Sequence, residues 1–278
     1  MTSELVQVST ADGLTLDGYW QIPAQPCASV ILLHGTGSNF YSSAVGNALA
    51  GFLTERSFAV LRINTRGHDL VATQGGRRRG AAYEVVDECR LDLQAWCDRV
   101  AGQESRVFLI GHSLGAVKAI YSQVHAPHPS VRGVVAISPP RLSYTWFSEH
   151  SAEFRLTYAQ AQQRVAEGRG QELMEVTFPL PFLTTATGYL EKYGPEERYH
   201  LLNLLPKLEL PSLVILGSKE METNIAFQGL SQAIAETVPQ TAVEVISGAD
   251  HVYSGLRRQL GERIISWLEA QDLESPEV

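Results

Sequence analysis

Residues 111–115 read Gly-His-Ser-Leu-Gly, and no other short pattern in the chain carries chemistry as specific. A serine with glycines two positions before and two after it fits a turn so tight that bulk is excluded at both flanks. Its hydroxyl then stands alone above the elements that the turn joins. Such a hydroxyl is a poor nucleophile until a base removes its proton, so the pattern asks which histidine reaches Ser113. Eight are present: His34, His68, His112, His125, His128, His150, His200 and His251. A second small-residue turn, His34-Gly35-Thr36-Gly37-Ser38, lacks the lysine and the spacing of a phosphate loop. Cys27, Cys89 and Cys97 have no metal-ligand spacing, and Cys89 and Cys97 share one helix face as small core residues. Neither a metal nor a cofactor is expected.

The elements around Ser113 explain how it would be held. Val107 to Ile110 is an apolar run that predicts a buried strand, and the residues after Gly115 have apolar spacing that predicts a helix. Alternating runs at 4–9 and 14–22, split by Ala11-Asp12-Gly13, predict a hairpin. Further strands are expected at 29–35, 58–64, 131–138, 212–217 and 241–247. Helices are expected at 44–56, from Ala81 to a stop at Gly102, at 225–238 and at 254–270, and residues 271–278 read as a frayed tail. This alternation predicts an α/β protein with a mostly parallel central sheet and helices on both faces. Residues 139–207 break the rhythm. They contain an expected helix near 157–176 and ten of the 23 aromatic residues, which predicts a mainly helical cap or, alternatively, an extra packing layer. The expected division is a core domain, 1–138 with 208–278, and a cap insertion, 139–207.

The 278 residues are 44% hydrophobic and 19% charged, as in a soluble globular enzyme, and can bury a sizeable core. A net charge of -8 argues against a nucleic-acid partner. No basic-then-apolar leader and no membrane span is legible, so a cytoplasmic location is expected. Monomer and homodimer both stay open.

The hairpin, the HGTG turn, the serine elbow, the interrupting segment, a late acidic turn and a carboxyl-terminal histidine resemble the α/β-hydrolase superfamily. The resemblance spans nearly the whole chain. It implies that His251, in Gly248-Ala249-Asp250-His251, is the general base. Glu220, in Gly217-Ser218-Lys219-Glu220, would be the acid that orients it; aspartate is more usual there, and Glu222 competes. Asp250 reads as a turn residue. The oxyanion hole falls to the amides of Thr36 and Leu114, with Gly35 and Gly37 giving the backbone access and His34 bracing the loop. His112 would pack beside the elbow. His125 and His128 read as exposed, His150 and His200 fall in the cap, and Tyr144 and Trp146 would line the substrate. Arg66 and Asp69 read as loop-locking residues and Arg77 to Arg79 as a solvated loop; Lys118 is either a buried partner of a carboxylate or exposed.

The implied protein is a serine hydrolase, foremost a carboxylesterase acting on a small to medium apolar ester. The same apparatus cleaves lactones, thioesters, amides and C–C bonds, and a ligand receptor or carrier on this fold is the rival from outside enzymes.

Overall fold

Ala28–Leu33 and Ser212–Gly217 are buried at every position, as in strands covered on both faces. They belong to an eight-stranded sheet in a computed structural model that describes residues 1–101 and 106–271. The strand order is Thr2–Ser9, Thr15–Ile22, Phe58–Ile63, Ala28–Leu33, Val107–His112, Val131–Ile137, Ser212–Gly217 and Ala242–Ile246. The pairings made by Thr15–Ile22 are antiparallel. All other pairings in this sheet are parallel.

Side chains alternate across the sheet and so build two cores. Ile31, Leu33 and Leu109 face helices Cys89–Ala101 and Leu114–His125. Val30, Leu32, Phe108 and Ile110 face helices Ala44–Glu55 and Arg257–Glu269. Each such side chain contributes roughly 1.5–3 kcal/mol by leaving water. The strand bearing the serine is therefore clamped from both sides. No helix among the described residues is long and apolar enough to cross a membrane.

The inserted segment holds helices Tyr144–His150, Ala152–Ala166, Ala186–Lys192 and Leu201–Leu204 and a small antiparallel pair, Leu173–Val176 with Phe182–Thr185. Its aromatic residues pack on one another: Phe154 lies 5.6 Å from both Phe147 and Phe178, and Tyr189 lies 4.8 Å from Tyr193. That cluster is continuous with the core around the serine helix.

The largest departures from expectation are three helices and one loop. The helix anticipated from Ala81 begins at Cys89. Before it lie two 3₁₀ turns separated by extended backbone at Glu84, whose side chain is drawn inward to a 2.5 Å ion pair with Lys118. Gly102 falls outside the described residues, as do 272–278 of the tail. The helix anticipated at 157–176 instead spans Ala152–Ala166; Ser151 caps its start, and Gly168, at φ 75°, follows its end. The helix anticipated from 225 starts at Leu230, because the Asn224 side chain accepts from the Ala226 amide and holds a turn. Arg77–Arg79 is not a loop but one side of a hairpin with Ala72–Gln74; Arg77 and Arg78 are exposed as expected.

Candidate active site

Ser113 sits between strand Val107–His112 and helix Leu114–His125 with φ 57° and ψ -126°, a backbone state that costs about 1–3 kcal/mol. The surrounding packing enforces it. A β-carbon on Gly111 would lie 2.3 Å from the Gly115 carbonyl oxygen, and one on Gly115 would lie 2.4 Å from that of His34. Both flanks of the elbow are thus closed to any larger residue. The Ser113 amide donates to the Ile137 carbonyl at 2.8 Å, which ties the elbow to the neighbouring strand.

Glu220 and His251 follow the ends of Ser212–Gly217 and Ala242–Ile246, the last two strands of the sheet, beyond Val131–Ile137. Glu220 lies in the first turn of helix Ser218–Thr223, and its Oε1 accepts from the Gly217 amide at 2.7 Å and from Ser138 Oγ at 2.5 Å. Its Oε2 lies 2.7 Å from His251 Nδ1. A carboxylate only accepts, so Nδ1 carries the imidazole proton and Nε2 is left as the basic nitrogen. The extra methylene of glutamate lets one oxygen reach back to Gly217 while the other reaches the ring. Glu222 is exposed, away from this arrangement. Asp250 accepts from the amides of Val252 and Ser254 at 3.1 and 2.9 Å, as a turn residue does.

His112 joins the strand that precedes Ser113 to the loop that carries His251. Its Nε2 donates to the His251 carbonyl oxygen at 2.7 Å, and the two rings lie 4.9 Å apart. Ser113 Oγ makes no hydrogen bond to a described residue, leaving Nε2 of His251 free. Contacts of this kind commonly tighten only once substrate is bound. His34 donates from Nδ1 to the Gly35 carbonyl at 2.8 Å and accepts at Nε2 from the Thr65 amide at 3.2 Å, a brace inside the loop. A β-carbon on Gly35 would lie 3.1 Å from that of Ser113, and Gly37 has φ 65°. The Thr36 amide has no backbone partner among the described residues. Leu114 opens its helix, so its amide is one of those that a helix leaves unpaired.

Burial lowers the pKa of His34 to about 4, and burial together with the nearby His251 lowers that of His112 to about 3. Both rings are neutral when folded and take up protons on unfolding below their ordinary pKa of about 6.5. The unfolded chain binds more protons in that window, so stability is full above it and falls as pH drops toward 4. His125 and His200, also lowered by burial, act in the same direction. Urea unfolding at graded pH is expected to lose up to about 1.4 kcal/mol per pH unit for each ring. A midpoint that stays flat across this range would contradict the neutral assignment.

Thr36, Ser113 and Leu114 line one narrow cavity. The inserted segment supplies much of its wall: Pro140, Leu142, Pro179, Leu180, Phe182, Lys192 and Tyr193. Ala226 and Phe227 complete it. A wider depression bounded by Asp87, Arg90, Tyr121 and Arg198 contains none of the reactive groups, so the chemistry selects the smaller space. Tyr144 and Trp146, expected to line the substrate, are not in this wall. Tyr144 packs against Phe154 and Tyr158, and Trp146 lies between Arg141 and His150 with its indole donating to the Ile225 carbonyl. Their rings serve the packing of the segment itself.

His128 is buried rather than exposed: its ring lies 2.7 Å from the Ser130 hydroxyl and 3.0 Å from Asp98. Lys118 is buried, paired with Glu84 and hydrogen-bonded to Thr65 Oγ1 at 3.0 Å. Arg66 is buried against Asp92, Glu88 and Asp12, and Asp69 accepts from Asn39, so both lock the loop as expected. The sequence reading passed over Ser138 and Tyr253, whose hydroxyls lie 3.0 Å apart behind Glu220. Ser138 follows strand Val131–Ile137 at its carboxyl end, as Ser113 follows its own strand, and that position was the available signal.

No curated protein sequence matches the chain. Solved structures do. The esterase Pf2001 of Pyrococcus furiosus aligns at 19% identity and TM-score 0.64, over 97% of this chain and 91% of that one. Est1E of Butyrivibrio proteoclasticus, solved with ferulic acid bound, aligns at 15% identity and TM-score 0.70, over 97% and 100%. GrgF of Penicillium sp. sh18, an alpha/beta hydrolase, aligns at 12% identity and TM-score 0.72, over 98% and 99%. Identities this low speak for the fold. The sequence itself matches the model of the alpha/beta hydrolase family over residues 30–259. With most of its length inside that match, the chain belongs to the alpha/beta hydrolase family.

Proposed function

We propose that the protein is a serine hydrolase that cleaves carboxylic esters through an acyl-enzyme on Ser113. The observation that carries this reading is the 2.7 Å contact between Glu220 and His251 Nδ1 beside an elbow serine that opens on an apolar cavity. His251 Nε2 takes the Ser113 proton as Oγ attacks the ester carbonyl, and the Glu220 carboxylate stabilises the imidazolium that forms. The amides of Thr36 and Leu114 hold the oxyanion. His251 then gives the proton to the departing alkoxide, and a water activated by the same nitrogen releases the acid and restores Ser113. Residues 139–207 act as a cap. Leu142, Leu180 and Phe182 bring apolar surface against the serine, which suits an apolar portion of the ester. Esterases among proteins of the same fold are in keeping with this assignment.

The test is titration with a fluorophosphonate, peptide mapping of the adduct and turnover of nitrophenyl esters graded by acyl length. The expected result is stoichiometric label on Ser113 with turnover concentrated on some chain lengths. Labelling of Ser113 with no ester turned over would refute the esterase and favour a carrier or another scissile bond. Failure to label would refute the nucleophile.

A further inference from the structure

The cavity beside Ser113 contains a cation that acyl transfer does not use. Lys192 closes helix Ala186–Lys192, is 5% exposed, and lines the same cavity as Ser113. Its Nζ lies 5.3 Å from the centre of the Phe182 ring, which lines the cavity too. It makes no hydrogen bond or ion pair with any described residue. Two carboxylates act on it through space, and neither forms an ion pair with it. Glu84 is paired with Lys118 at 2.5 Å, and Glu191 meets the Tyr199 hydroxyl and lies 3.7 Å from Arg198.

Glu84, Lys118 and Lys192 therefore form a buried group with one positive charge in excess. Burying an unpaired ammonium is among the costliest arrangements a fold can hold. The face of Phe182 returns only part of that cost. A lysine that merely complemented the end of its helix would keep its ammonium in water, as long side chains readily do. Burial pushes the Lys192 ammonium down; Glu84 opposes this and Lys118 adds to it. A ligand carboxylate cancels the excess, and the Tyr193 hydroxyl, in the same wall and without a hydrogen-bond partner among the described residues, offers it a second donor.

We propose that Lys192 is the specificity-determining residue of this site: its ammonium binds a carboxylate carried on the tail of the substrate, remote from the scissile carbonyl. On the serine-hydrolase reading above, on which this rests, the ester cleaved is one whose acyl chain ends in a carboxylate. The apolar wall between Ser113 and Lys192 takes the methylenes, and the two ends fix the length that fits. Neutral esters of the same length bind without satisfying the cation.

The test uses paired alkyl fluorophosphonates of graded length, one member ending in a carboxylate and the other in a methyl group. The readout is the ratio of their labelling rates at Ser113, which is independent of the fraction of protein folded and needs no turnover. The intact protein is expected to favour the carboxylate reagent by on the order of 10²-fold at its best length, as for a charge-assisted hydrogen bond. Lys192→Met should bring the ratio close to one, and Lys192→Arg should keep part of it. No preference in the intact protein, or a preference that survives in Lys192→Met, overturns the proposal while leaving the hydrolase standing. No labelling by either reagent, with no ester turned over, overturns the hydrolase reading and this proposal together.

Discussion

Ser113→Ala is expected to lower kcat on the best ester by about 10⁴- to 10⁶-fold while leaving the protein folded. The substitution removes a single atom. Ser113 Oγ holds no hydrogen bond to a described residue, and alanine meets the same φ of 57° at a similar backbone cost. The change in unfolding free energy should therefore stay within about 0.5 kcal/mol. His251, Glu220 and the amides of Thr36 and Leu114 remain, so residual catalysis would come from oriented water and the oxyanion hole, roughly 10³- to 10⁴-fold over solution. The measurement is kcat on purified variant alongside a urea melt. Retained activity with an unchanged melt would show that the elbow is not the nucleophile. Lost activity with a collapsed melt would show instead that the hydroxyl supports the fold.

The parts of this site legible in the sequence were those in which backbone geometry dictates composition. The elbow needs glycine at 111 and 115 because carbonyl oxygens of Gly115 and His34 occupy the space of a side chain, and that demand is written into five consecutive residues. The strands were legible because Ala28–Leu33 and Ser212–Gly217 are buried on both faces and must be apolar throughout. Contacts between distant residues leave no such trace. The pairing of Glu84 with Lys118, 34 positions apart, displaced the start of a helix that periodicity alone placed at Ala81. The inserted segment was the hardest to read, because aromatic residues suit a packed interior and a substrate wall equally well. Tyr144 and Trp146 pack within the segment, while Leu142, Phe182 and Lys192, which carry no recognisable pattern, line the cavity beside Ser113. Ser138 was overlooked because a serine after a strand is common and acquires meaning only once Glu220 is seen to accept from it.

Glu220→Gln is expected to cost about 10⁴-fold in kcat, and Glu222→Gln less than about twofold. The difference follows from who donates to whom. The Glu220 carboxylate accepts from the Gly217 amide and Ser138 Oγ on one oxygen and from His251 Nδ1 on the other. Every partner is a donor, and glutamine offers one acceptor oxygen where the carboxylate has two. If that oxygen stays with Gly217 and Ser138, the amide NH₂ faces His251 Nδ1, and the ring must shift its proton to Nε2. That nitrogen can then no longer take the proton of Ser113. If the amide turns the other way, its NH₂ confronts the Gly217 N–H, a buried donor without an acceptor, which costs about 1–3 kcal/mol of stability. The first arrangement is the less costly, so the variant should fold and fail at catalysis, with KM little changed because neither residue touches the cavity wall. Fluorophosphonate labelling should slow in parallel with kcat, since it demands the same activated oxygen. The exposed Glu222 has no partner in this network, and its substitution serves as the matched loss of one charge from the same helix. A large loss on Glu222→Gln with Glu220→Gln unaffected would transfer the role of the acid to Glu222.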